Sequence, residues 1–290
     1  MKKTQNIKIK NLIFKNPLIL ASGTFSFGDK FISVVNQMGG IITKGITLQP
    51  RPGNPMPRIW ETASGLLNSV GLENPGIDAF LKNILPGLAQ LKTNLIVNIS
   101  GNQVKDFTAL AEKLSDADID GIEINVSCPN IRETDKMLGQ DPKTVFQVVS
   151  AVRRKTDKFL ITKLTANFID PLLTAQAAKD AGSDAVCLVN TLYGIALDSN
   201  TGKPMLGGIF GGLSGPAIKP FALFCVWRVA SRLKIPIVGC GGICSADDVR
   251  EFLHAGSSLV QIGSANLRNP YAGLEILHKL SDKNFKGGVK

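Results

Sequence analysis

The chain has 290 residues, 44% hydrophobic and only 6% aromatic, with 29 glycines. That suits a single α/β barrel, typically about 250 residues, or two small domains. The formal net charge is +10, from 33 basic against 23 acidic residues. The basic residues are scattered, densest at Lys2-Lys3 and Arg153-Arg154-Lys155. A nucleic-acid-binding face would gather them, so a solvated basic surface, or attraction for anionic ligands or an acidic partner protein, is the reading left. The five cysteines (128, 187, 225, 240 and 244) show no paired spacing, as expected of a reduced intracellular protein. The apolar run Asn11-Leu12-Ile13-Phe14 is too short for a signal segment, and no stretch approaches the roughly 18 apolar residues of a membrane span. A cytoplasmic chain is expected.

Taken in order, residues 5–15 predict a small hairpin that closes one end of the fold. Short apolar runs rich in β-formers follow at 17–21, 40–44, 95–99, 121–126, 159–164, 184–189, 236–240 and 258–262. Most are continuous rather than alternating, as in parallel strands buried on both faces. Between them lie helical periodicities. One stripe is Val104, Phe107, Ala111 and Leu114. A second is Val145, Val148, Val149 and Val152, opened by Asp141-Pro142 as cap and first-turn proline. Ala175, Ala178 and Ala181 form a third, closed by Gly182, and Ser245 caps a fourth carrying Val249, Phe252 and Leu253. Eight strands alternating with helices indicate one (β/α)8 TIM barrel over residues 1–290, with a doubly wound open sheet as the competing topology. Long loops are expected after strands two, four and six. The first and last, 45–75 and 190–218, are rich in proline or glycine and predict active-site walls and lids.

In a barrel, chemistry collects where the strands end. Those ends carry Ala21-Ser22-Gly23, Lys44, Asn98, Asn125 with Cys128, Lys163, Asn190-Thr191, Gly241-Gly242 and Gly263-Ser264. Lysines embedded in IITKG and LITKLT are rarely buried without a charged partner or a functional duty. The run Asn125-Val126-Ser127-Cys128-Pro129-Asn130 sets a cysteine between two asparagines. Taken alone, it reads either as a strand end with a structural cysteine or as a nucleophile or base flanked by two amides suited to a flat, polar ligand. The glycine turns after strands seven and eight match the usual barrel phosphate site. With a lysine near the barrel axis, they suggest FMN, its phosphate under strands seven and eight. No GxGxxG follows the first strand, and His254 and His278 have no metal-ligand partners.

These residues resemble the class 1 dihydroorotate dehydrogenases, FMN barrels of pyrimidine biosynthesis. The likeness runs over nearly the whole chain through Ala21-Ser22-Gly23-Thr24, Thr43-Lys44-Gly45, Asn68-Ser69-Val70-Gly71-Leu72, Asn125 to Asn130 and Gly241-Gly242-Ile243. Residues 50–55 (PRPGNP) and 211–217 (GGLSGPA) resemble the NAD-linked class 1B branch. That branch pairs the FMN subunit with a second chain carrying FAD and a [2Fe–2S] cluster. The resemblance implies a homodimer of this subunit within a heterotetramer.

It also implies Cys128 as the base that removes the C5 proton of dihydroorotate, a role that nearby positive charge would favour. Asn68, Ser69, Val70, Gly71, Leu72, Asn125, Asn130, Asn190 and Thr191 would hold the substrate, and Lys44 would touch substrate and flavin. Lys163 would lie beside flavin N1, while Ala21, Ser22, Gly23, Gly45, Asn98, Asn125, Val189, Gly215, Gly241, Gly242, Gly263 and Ser264 would complete the cofactor site. The family usually follows the catalytic motif with a Gly-Gly pair and a Phe-Gly. Here residues 131–139 (IRETDKMLG) differ, which bears on lid motion. A one-subunit fumarate-reducing enzyme, another FMN-barrel reductase such as a tRNA-dihydrouridine synthase, and a non-catalytic barrel are the alternatives.

Overall fold

The computed structural model describes residues 6–127 and 138–281. Its strands are β1 (Ile7–Ile9), β2 (Leu12–Phe14), β3 (Leu18–Leu20), β4 (Gly40–Ile42), β5 (Ile59–Thr62), β6 (Gly65–Asn68) and β7 (Asn94–Ile99). They continue with β8 (Gly121–Asn125), β9 (Phe159–Lys163), β10 (Ala185–Leu188), β11 (Leu192–Gly194), β12 (Gly211–Ser214), β13 (Ile237–Cys240) and β14 (Leu259–Ile262). Eight of them close a parallel barrel in the order β3-β4-β7-β8-β9-β10-β13-β14, with β14 returning to β3. These are the eight expected strands in chain order, so the open-sheet topology is excluded.

The crossover helices form where the sequence caps them. Asp141 accepts from the amides of Lys143 and Thr144 ahead of Pro142–Arg153, and Ser245 accepts from Asp248 N ahead of Ala246–His254. Helix Val104–Leu114 opens with a reciprocal pair between Gln103 and Asp106 and buries Phe107, Leu110, Ala111 and Leu114. Helix Pro171–Asp180 gives way to Gly182 at φ 96°, a left-handed position that glycine takes at low cost.

Two departures from expectation stand out. The proline- and glycine-rich segments after β4 and β10 are not independent loops. They build one four-stranded antiparallel sheet, β11-β12-β6-β5, over the C-terminal end of the barrel. Gly212 pairs with Asn68 and Leu213 with Leu67, across about half the chain. Close approach explains the glycines: a Cβ at Gly211 would lie 2.5 Å from Asn68 O, and one at Gly212 would lie 2.1 Å from Thr191 Oγ1. The second departure is that β4 stops at Ile42, because Lys44 N turns away to Ser26 O (2.7 Å).

The barrel interior is layered by the two-residue period of its strands. At the floor, Ile19, Ile42, Ile96, Phe159, Ile161, Ala185, Cys187, Val238 and Leu259 form one apolar cluster. The hairpin β1–β2 plugs it with Ile9 and Phe14, and Phe14 packs edge-on against Phe159 (5.9 Å between ring centres). Two residues farther along, the same faces turn polar. Asn98 follows Ile96, Lys163 follows Ile161, Cys240 follows Val238 and Gln261 follows Leu259.

Candidate active site

That polar layer is the base of the site. Glu123 (β8) is fully buried, and each of its oxygens accepts an amide: Asn98 Nδ2 at 2.7 Å and Gln261 Nε2 at 2.5 Å. Gln261 Oε1 in turn accepts from Lys163 Nζ at 3.1 Å, and the ammonium lies 4.0 Å from Glu123 Oε1. Burial works against the charge on Lys163, but Glu123, and after it Cys240 and Cys187, outweigh burial and raise its pKa. Lys163 therefore stays an ammonium at any physiological pH. The Cys187 and Cys240 thiols interact beside it. Cys187 holds the Cys240 pKa down to about 7, with help from Lys163 and against burial, while burial pushes Cys187 up.

Lys44 behaves otherwise. It was expected to be a buried strand lysine, yet its side chain is 26% exposed and pairs with Glu73 (3.4 Å), which Arg58 also holds at 2.9 Å. Lys44 first, and Arg58 second, hold the Glu73 carboxyl below its usual range. The early end of β4 is the physical reason: Lys44 stands at the mouth rather than within the barrel wall.

Above the layer, the expected substrate residues split into two connected groups. Asn125 Oδ1 accepts from Asn190 Nδ2 (3.3 Å), and Asn190 Oδ1 accepts from Thr191 N (2.8 Å). Asn68 donates to Gly212 O (3.2 Å), and Gly212 also abuts Thr191, so the two groups meet at the sheet above the mouth. Ser69 Oγ, Val70 O and the Gly71 backbone all lie against Asn54. Leu72, at φ 54°, reaches Gly45. Cys128 and Asn130 lie outside the described residues, as do residues 131–137 of the divergent segment. Leu138–Gln140 then forms a short turn in which Gly139 N donates to Val126 O (2.9 Å).

The expected cofactor residues line the rest of the mouth. Asn98 Oδ1 is buried with no partner among the described residues, and it faces Gly45, where a Cβ would lie 2.9 Å away. Ala21, at the end of β3, adjoins Gly263 at the end of β14, while Ser22 and Gly23 continue the rim, with open space over Gly23. Gly242 (φ 75°) lies so close to Gly215 that a Cβ on it would be 2.8 Å from Gly215 O, which brings the end of β12 to the turn after β13. Val189 N donates to Cys240 O (2.8 Å), and Ser264 opens the short helix Ser264–Arg268. The amides of Gly241, Gly242 and Gly263 have no acceptor among the described residues. Free amides in two adjacent glycine turns suit a phosphate. A buried unpartnered acceptor beside a buried cation suits a heteroaromatic ring that offers an N–H and takes negative charge. The residues present thus fit FMN.

Glu123 and Gln261 escaped the sequence reading, although a glutamate in GIEIN and a glutamine in LVQI are as unusual in apolar strands as the two lysines. No group of metal-ligating side chains occurs among the described residues, and none of their helices is long and apolar enough to cross a membrane. A cleft of about 760 Å³ lies beside the floor of the barrel rather than at this mouth. Of the cations lining it, Arg153 is engaged with Asp184, Lys155 with Glu112, and Lys158 with Ile119 O.

Comparison with known proteins points the same way. A family profile described as dihydroorotate dehydrogenase matches residues 4–283. The "dihydroorotate dehydrogenase B (NAD(+)), catalytic subunit" of Pelobacter propionicus is 46% identical over 279 residues, which is 95% of this chain and 92% of that protein. The protein of the same name from Desulforamulus reducens is 44% identical over 292 residues, covering 100% of this chain and 96% of its own. Among solved structures, Eimeria tenella dihydroorotate dehydrogenase in complex with ferulenol is similar in fold. Its TM-score is 0.78 at 22% identity, covering 95% of this chain and 83% of that one.

Proposed function

The chain belongs to the dihydroorotate dehydrogenase family, and from that membership we propose that it is an FMN-dependent enzyme of pyrimidine biosynthesis oxidising dihydroorotate to orotate. NAD+ is the final acceptor, reached through a partner subunit carrying FAD and a [2Fe–2S] cluster, and the assembly is a heterotetramer around a homodimer of this chain. The observation that carries the flavin is the polar layer, where Asn98 donates Nδ2 to the same carboxylate that faces the buried Lys163 ammonium and leaves its buried Oδ1 as an acceptor with no partner among the described residues.

Each residue then has a task. The Gly241, Gly242 and Gly263 amides take the cofactor phosphate, and Asn98 Oδ1 takes a ring N–H. Lys163 keeps a positive charge where reduction would place a negative one, at no cost of reorganisation. Asn68, Asn125, Asn130, Asn190 and Thr191 hydrogen-bond the substrate ring and carboxylate and hold it flat. Cys128 Sγ accepts the C5 proton. Bound in this site, FMN supplies the acceptor for the C6 hydride and an outlet for single electrons to the partner. The sheet β11-β12-β6-β5 shields the reacting faces from water. Lys44, at the mouth, steers the anionic substrate inward.

A coupled assay separates this reading from a one-subunit, fumarate-reducing enzyme. Dihydroorotate-dependent NADH formation, followed at 340 nm, should appear when the chain is co-purified with its FAD and iron–sulfur partner and be absent for the chain alone. Turnover with fumarate by the chain alone would contradict the NAD-linked assignment.

A further inference from the structure

The roles of the polar layer follow from what each side chain can donate. A carboxylate only accepts hydrogen bonds, an ammonium only donates, and an amide does each at opposite ends. Glu123 is fully buried, with both oxygens used, so the two amides against it must present their NH2 groups. Gln261 is thereby fixed twice over, NH2 toward Glu123 and oxygen toward Lys163 Nζ. Asn98 is fixed once. With Nδ2 on Glu123, its Oδ1 must face Gly45, and that oxygen is the buried atom left without a partner. Neither Glu123 nor Gln261 is needed to fill space in this way, since the layer beneath them packs as an apolar core.

We propose that Glu123 and Gln261 are positioning residues that set the hydrogen-bond polarity of the cofactor site, holding Asn98 as an acceptor and Lys163 as a charged donor toward the ring. This rests on the FMN reading above. The ligand class it selects is a heteroaromatic ring with an N–H for Asn98 and a basic atom or carbonyl for Lys163. A ring with the reverse pattern would meet acceptor against acceptor at Asn98.

The polarity argument makes substitution effects depend on order. A glutamine at 123 can accept from only one of its two neighbours, because its other end is itself a donor. Either Asn98 turns and offers the cofactor an NH2, or Gln261 turns and sets its NH2 against the Lys163 ammonium. Both damage the site. Moving the carboxylate to position 261 restores a consistent chain. Asn98 then donates to the amide oxygen at 123, the amide NH2 at 123 donates to the carboxylate at 261, and Lys163 donates to the same carboxylate. A carboxylate at 98 with an amide at 123 is also consistent and keeps an acceptor toward the ring.

The test is FMN binding to flavin-free protein, read by quenching of FMN fluorescence, for wild type, Glu123→Gln, Gln261→Glu, the Glu123→Gln/Gln261→Glu exchange and Asn98→Asp/Glu123→Gln. Each single change should weaken FMN by on the order of 10-fold or more, the equivalent of losing one charged-group hydrogen bond, about 1.4 kcal/mol. The exchange should return to within about 3-fold of wild type. A flavin absorption spectrum unlike wild type in the singles and restored in the exchange would report the ring's own hydrogen bonds. Wild-type affinity in Glu123→Gln, or an exchange no better than the singles, overturns the proposal. If Glu123→Gln does not fold, the two double variants must still fold and bind FMN, and failure of both overturns it. A wild-type protein that binds no FMN would fail differently, sinking the cofactor assignment and this inference with it.

Discussion

Replacing Lys163 with methionine tests the electrostatics of the polar layer through stability alone. Methionine keeps most of the volume but removes the cation facing Glu123, a fully buried carboxylate. At the observed 4.0 Å, with an effective dielectric of about 20, the pair attraction is roughly 4 kcal/mol. That falls within the ~3–5 kcal/mol typical when one partner of a buried pair is deleted. In a chain of this size the loss corresponds to a fall in Tm on the order of 10 °C. The folded protein raises the Lys163 pKa above its ordinary 10.5, so the ammonium's contribution is complete at every pH below that value and lost only above it. The lysine's own titration therefore adds no pH dependence between pH 6 and 9, and the deficit should grow only as Cys240, whose thiolate Lys163 helps stabilise, ionises above pH 7. The assay is thermal unfolding of flavin-free protein, so that cofactor binding adds nothing. Adding Glu123→Gln should recover much of the loss, because without the lysine Gln261 can turn and satisfy the amide at 123. An unchanged Tm in Lys163→Met, or a double variant whose losses simply add, would refute the buried-pair reasoning.

Three further perturbations separate the parts of the site. Gly242→Ala forces a side chain onto φ 75° with its Cβ 2.7 Å from Lys219 Cβ and 2.8 Å from Gly215 O. The purified variant should keep its circular dichroism spectrum but hold about a tenth or less of the wild-type flavin, by absorbance ratio, since the strain alone costs roughly 1–2 kcal/mol. Gly212→Ala drives a Cβ to 2.1 Å from Thr191 Oγ1, so KM for dihydroorotate should rise several-fold while flavin content stays unchanged. Cys240 has its pKa lowered from 9.0 to about 7, so its thiolate adds stability that is complete above pH 9 and is lost as pH falls through 7. Wild type should accordingly gain stability over Cys240→Ala between pH 7 and 9, and parallel pH profiles would contradict the shift.

The barrel was legible because continuous β-rich runs and capped helical stripes repeat at close spacing, and such signals are local. The glycine turns and the asparagines at strand ends were legible for the same reason, since the topology says which end carries chemistry. The lid sheet was not. Its β6–β12 pairing joins Asn68 to Gly212, and nothing near either residue announces the other. Lys44 was placed at a strand end, as found, but read as buried; strand ends shift by a residue or two, and here β4 stops two residues short and leaves the side chain partly exposed. Glu123 and Gln261 were missed for a subtler reason. In strands buried on both faces, sequence does not say which residues point inward, so the partners that make Lys163 tolerable became visible only with the barrel closed.

The most direct test of the whole account is anaerobic mixing of the purified chain with dihydroorotate while the flavin band is recorded. The account predicts rapid bleaching of one FMN per chain, slowed by orders of magnitude at neutral pH in Cys128→Ser because serine is a far weaker base. A colourless protein, a flavin that dihydroorotate leaves oxidised, or bleaching in Cys128→Ser at the wild-type rate would contradict it.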